Sequence, residues 1–126
     1  MEIIRREEVV VLANPGIASH QLLSPRNSAS SRLTITRVVL QPGATNARHR
    51  HDASEQVWIA LSGSGILLLA GDATLPFAEG AVVRFVEGEI HGLHNAGPET
   101  FEYLAVTAPP LDCRAAYATI RLRADA

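Results

Sequence analysis

The sequence predicts an all-β chain folded as a sandwich or a barrel. Three observations predict it. Turn residues recur at short intervals, β-branched and apolar runs lie between them, and no stretch holds a helical period. Val9–Leu12 is an uninterrupted apolar run closed by Asn14-Pro15-Gly16. His20–Leu23 follows, and then residues 24–31, a polar patch that reads as an exposed loop. Arg32–Leu40 is rich in threonine, isoleucine and valine and stops at Gln41-Pro42-Gly43. Gln56–Leu61 ends in Ser62-Gly63-Ser64-Gly65, and Ile66–Ala70 runs into Gly71-Asp72. Val82–Val86 is bracketed by Glu79-Gly80 and Glu87-Gly88. Phe101–Thr107 follows the turn Asn95-Ala96-Gly97-Pro98, and Tyr117–Leu122 is the last strand. Short strands at such even spacing belong to all-β architectures.

At 126 residues, 47% of them apolar, the chain has room for one domain, residues 1–126, and for one core. A net charge of -2 with no basic stripe argues against a nucleic-acid partner. The longest apolar runs, Val9–Ala13 and Ile66–Ala70, are too short to cross a bilayer. The N-terminus, Met1-Glu2-Ile3-Ile4-Arg5-Arg6, lacks the layout of a signal peptide. A lone cysteine, Cys113, rules out an internal disulfide and fits a reducing cytoplasm, where it reads as a small packed thiol.

Three of the five histidines stand where a metal site needs them. His49 and His51 are two residues apart, so in an extended segment both rings lie on one face. After Asp52-Ala53-Ser54-Glu55 the chain reverses into the strand that begins at Gln56, which brings an amide oxygen back beside the histidines. His91 must be delivered by the fold. Imidazole nitrogens with one oxygen suit zinc, iron(II), nickel, manganese or copper better than calcium or magnesium.

The frame around these residues resembles the cupin family. Gly43, His49, His51 and Gly63 fall in register with its first motif, and counting back from Gly63 puts Gln56 at the position usually held by glutamate. Gly80, Gly88, His91 and Asn95 fall in register with its second motif, with Val86 where proline is common. The motifs occupy residues 43–63 and 80–95, separated by a hairpin. The resemblance implies a jelly-roll barrel, a double-stranded β-helix of roughly six to eight strands, holding one divalent metal near its open end. It assigns the four ligand positions to His49, His51, Gln56 and His91. Gln56 makes that set neutral, which favours anionic ligands such as carboxylates or enolates at the open positions. Glu55 is the rival oxygen ligand, since a one-residue bulge would exchange it with Gln56.

Other residues carry two readings. Trp58 shares a face with Gln56 and is either a wall for a planar substrate or a bulky core filler. Arg37 shares a face with Leu33, Ile35 and Val39 and either anchors a substrate carboxylate inside the barrel or lies at the surface. Arg84 invites the same question. Arg48 and Arg50 alternate to the solvated face, His94 faces away from His91, and His20 reads as a surface histidine. Asn95 serves the turn after the second motif. Glu55 and His94 are the only side chains near the motifs able to act as a general base.

The expected function is therefore a metal-dependent enzyme acting on a small organic molecule. Dioxygenase-like chemistry stands slightly ahead of isomerase, cyclase or lyase chemistry. The alternative is a barrel that binds or senses a small molecule without turnover. Open sheet edges, with Val9–Leu12 and Tyr117–Leu122 as pairing runs, predict a homodimer.

Overall fold

A computed structural model describes residues 1–111 and 119–122. Eleven strands follow in order among these residues: β1 Val10–Asn14, β2 Ile17–Leu23, β3 Thr34–Leu40, β4 Thr45–His49, β5 Glu55–Ser62, β6 Ser64–Leu69, β7 Thr74–Ala78, β8 Val82–Phe85, β9 His91–His94, β10 Phe101–Ala108 and β11 Thr119–Leu122. The only helical segments among the described residues are two short 3₁₀ turns, Arg6–Glu8 and Ala70–Asp72. Among the described residues no helix is long and apolar enough to cross a membrane.

The strands form two antiparallel sheets, of order β11-β1-β2-β3-β10-β5-β8 and β4-β9-β6-β7, packed as a jelly roll. β10 shows why they pack. Its residues alternate buried and half-buried along the whole strand, so Phe101, Tyr103 and Ala105 enter the core while Glu102, Leu104 and Val106 do not. The apolar end of the barrel is filled by Leu40, Phe101, Leu93, Leu67 and Phe77, all 3% exposed or less.

Two glycines make the architecture possible. Gly63 joins β5 of the large sheet to β6 of the small one at φ +85°. A Cβ there would stand 2.7 Å from the Thr100 carbonyl oxygen. Gly92 lies where β9 runs against β4, and a Cβ on it would meet the Asn46 carbonyl oxygen at 2.6 Å. Only a residue without a side chain lets these two strands, which carry His91 and His49, lie so close.

Three of the strands were not expected from composition. β4 is expected only if the segment before the histidines is extended. β7 contains Pro76 and is exposed except at Phe77, and β9 is a four-residue strand with a histidine at each end. β2 and β3 start at Ile17 and Thr34 instead of His20 and Arg32. The run Val9–Leu12 is buried, and β1 lies between β2 and β11, so it is no free edge for a second copy. The edges of the large sheet are β11 and β8. Cys113 and the start of the expected strand Tyr117–Leu122 lie outside the described residues.

Candidate metal centre

His49, His51, Gln56 and His91 meet at one end of the barrel. His49 closes β4, His51 follows two residues beyond it, Gln56 is the second residue of β5 in the opposite sheet, and His91 opens β9. Backbone bonds fix this meeting. His49 pairs with His91 across β4 and β9 after a register shift. The Gly88 N–H donates to the His51 carbonyl at 2.9 Å, tying the turn before β9 to the turn after β4. Asn95, fully buried, donates its amide to the carbonyls of Leu40 and Glu99 and accepts from the Gly97 N–H, so it does serve its turn.

The three histidines place ligand nitrogens within 4.8 Å of one another. Their ring centroids are 5.0, 4.5 and 5.4 Å apart. The protons on two of the rings can be assigned. Nδ1 of His49 lies 2.7 Å from the Ala47 carbonyl oxygen, and Nδ1 of His91 lies 2.7 Å from the Glu89 carbonyl oxygen. A carbonyl only accepts, so each Nδ1 carries the proton and each Nε2 keeps its lone pair. Nε2 of His51 is buried with no hydrogen-bond partner among the described residues.

Gln56 completes the set. Its Nε2 donates to Thr107 Oγ1 at 2.8 Å, and its Oε1 accepts from the Trp58 indole N–H at 3.1 Å. An indole nitrogen only donates, so these two bonds fix the amide with its oxygen toward the histidines. That oxygen lies 3.0 Å from His91 Nε2. Two lone pairs at that distance repel unless a cation or a proton lies against them. A proton is disfavoured, because burial, with His49 and His51 as like-charged neighbours, pushes the His91 imidazolium down to about 4 despite the Glu89 carbonyl. Burial lowers His51 as well, with His49 adding to the effect. Neutral imidazoles with free Nε2 atoms, an orphaned buried nitrogen and an amide oxygen are the donor set a borderline transition metal takes. The residues fit the metal that the sequence implied.

These shifts set a pH dependence for the metal-free protein. The folded His91 holds off its proton until about pH 4, whereas the unfolded chain takes it near 6.5. The stability contributed by the neutral ring is complete above about pH 6.5, falls as pH drops toward 4, and amounts to about 3 kcal/mol in full. His51 adds in the same direction. Urea unfolding of the metal-free protein at about pH 7 and about pH 5 will show this loss, and a His91→Asn variant will show a shallower one. An equal slope in both proteins would remove His91 as its source.

Around the site, Phe85 stacks on His91 with centroids 4.3 Å apart and planes 10° from parallel. Trp58 is 1% exposed and packs against Phe85, Tyr103 and His91 as a core residue, and it also lines the cavity. A cavity of about 420 Å³ opens from His49, His51 and Gln56 toward Ser19, Thr36 and Tyr103. Asn46 donates to the Tyr103 hydroxyl at 3.1 Å.

Three candidates lie elsewhere. Glu55 faces away from Gln56 and pairs with Arg84 at 2.8 Å outside the barrel, so strand alternation holds without a bulge and neither residue reaches the cavity. Arg37 also points outward, where Glu102 binds it, and so anchors nothing inside. Of its two readings the surface one holds, because the inward residues of β3 at this end are Thr34 and Thr36, polar where the apolar pattern points the other way. Arg50 pairs with Asp52 in solvent. Arg48 is exposed at the cavity rim and donates to the Leu69 and Ala73 carbonyls. His94 shares a 2.6 Å contact with Thr45 Oγ1. The residues that sequence reasoning missed are Thr107, which orients Gln56, and the hydroxyls of the wall. Their signal was the alternation Thr34-Ile35-Thr36.

The same arrangement of sheets recurs in solved structures. The polyketide cyclase RemF from Streptomyces resistomycificus superimposes with a TM-score of 0.75 at 20% identity, over 97% of this chain and 84% of that one. KdgF from Halomonas sp. does so with a TM-score of 0.73 at 18% identity, over 88% of this chain and 97% of that one. In sequence, an oxalate-binding protein from Thermotoga maritima is 29% identical over 85 residues, which cover 68% of this chain and 69% of that protein. The cupin domain family matches residues 36–107, a span that holds all four convergent residues and more than half of the sequence, and the chain belongs to it.

Proposed function

We propose that this protein holds one divalent transition metal on His49, His51, His91 and the Gln56 amide oxygen, and acts on a small organic anion bound beside it. The observation that carries the proposal is the convergence of free lone pairs, above all the buried Nε2 of His51, which has no partner among the described residues. When bound, such a metal supplies Lewis acidity toward a ligand oxygen, and iron, copper or nickel adds chemistry with oxygen. The chain's own residues do the rest. Thr107 and Trp58 hold the Gln56 oxygen in place, and Phe85 shields the outer face of His91 from water. Among the described residues no aspartate or glutamate lines the cavity to move a proton. That favours dioxygenase-like cleavage of an enol or diketone over isomerase, cyclase or lyase chemistry, which asks for a general base.

The second reading is binding without turnover. The same missing base supports it, as does the similarity to an oxalate-binding protein. A homodimer through the large sheet's edge is proposed on the strength of the exposed Val82 and Val86 at β8. Elemental analysis of gently purified protein tests the main reading. Near-stoichiometric iron, nickel or copper directs the next assay to oxygen uptake, and zinc or manganese directs it to Lewis-acid reactions. Protein that takes up no metal even on reconstitution overturns the proposal.

A further inference from the structure

The large sheet changes character along its inner face. At one end Leu40 and Phe101 pack as an ordinary core, and Ile17 and Val38, part of the same core, also reach the cavity as its apolar lining. At the other, Ser19 on β2, Thr34 and Thr36 on β3 and Thr107 on β10 line the cavity. The register carries this band to the metal centre, since Thr34 pairs with Thr107 and Thr107 pairs with Gln56. Ser19, Thr34 and Thr107 are only 2–4% exposed. Hydroxyls in such a place need partners.

The protein satisfies them in part. Ser19 Oγ accepts from Gln21 and Thr107 Oγ1 accepts from Gln56, each at 2.8 Å, which leaves both hydroxyl protons to donate. Thr34 and Thr36 form no side-chain hydrogen bond among the described residues. A purely aliphatic ligand would leave this wall dry and unpaired, at about 1–3 kcal/mol per group. A ligand bearing its own hydroxyls would satisfy it. Charge adds a second constraint. Among the described residues the cavity wall has no carboxylate, and the one arginine that lines it, Arg48, stands at the rim. A divalent cation on neutral ligands therefore leaves the negative charge to the molecule that enters.

We propose that the cavity is built for a polyhydroxylated carboxylate, its carboxylate at the histidine cluster and its hydroxyls along Ser19, Thr34, Thr36 and Thr107. The inference rests on the metal reading above and adds the substrate class to it. Thr34 lies two strands from Gln56, roughly 10 Å away. A carbon chain of about six atoms with its terminal oxygens covers that reach.

Calorimetry on zinc-reconstituted protein tests it, with D-gluconate and hexanoate as probes of equal carbon number. Gluconate should bind about tenfold or more tightly. The Thr34→Val/Thr36→Val double variant keeps side-chain shape and strand preference, and should lower gluconate affinity several-fold toward that of hexanoate with zinc content unchanged. Equal binding of the two acids to the wild-type protein overturns the proposal without any variant having to fold. Undiminished gluconate affinity in the folded, zinc-loaded double variant overturns it as well, and leaves the metal site standing. A protein that takes up no zinc sinks both readings, and that failure is seen in the metal content before any acid is added.

Discussion

Replacing His51 with alanine is expected to lower zinc or iron(II) affinity by more than about a hundredfold while the barrel stays folded. The two halves of that expectation have separate causes. His51 lies in the turn beyond β4, outside every ladder, so its side chain supports no strand. What it supplies is a buried lone pair with no other use in the described structure. Competition against a chromophoric chelator measures the affinity, and circular dichroism with urea unfolding measures the fold. His94→Ala is the control. Its ring meets Thr45 at the surface, so metal uptake should be unchanged. Wild-type affinity in His51→Ala would remove the four-ligand centre.

Trp58→Ala carries the largest expected cost in stability, about 3–5 kcal/mol. The indole is 1% exposed and touches Phe85, Tyr103 and His91, with centroids 5.0, 4.6 and 5.3 Å away. Its loss leaves a void that two packed sheets cannot close. Trp58→Phe separates packing from hydrogen bonding. It retains most of the volume but removes the N–H that holds the Gln56 oxygen in place. It should lose well under half as much stability and still bind metal more weakly. Urea midpoints and the chelator titration read the two effects independently. A Trp58→Phe protein with unaltered metal affinity would show that Thr107 alone fixes the amide.

The sequence made the chemistry more legible than the architecture. His49, His51, Gln56 and His91 sit at countable distances from glycines that end strands, and strand alternation separates Gln56 from Glu55. Both kinds of information survive in a linear string. β7 and β9 were harder to see, because each owes its strand conformation to a neighbour. β9 holds its extended form between β4 and β6, and β7 is exposed and interrupted by a proline. Arg37 shows the third kind of difficulty. Its face was grouped correctly with Ile35 and Val39, but which face turns inward depends on what the interior needs. Here the interior needs hydroxyls. The two threonines that look like solvent-facing residues are the ones inside, and the apolar pattern that usually marks a core pointed outward.

The neutral ligand set has a consequence for how long a metal stays. A cation held by neutral groups gains its charge compensation from whatever anion binds with it. The two affinities are then linked, and each raises the other by the same factor. In the absence of its anion the site should let the metal go comparatively easily. Occupancy in a cell would then follow the supply of a metabolite as well as that of the metal, and the protein would be loaded when there is something for it to hold.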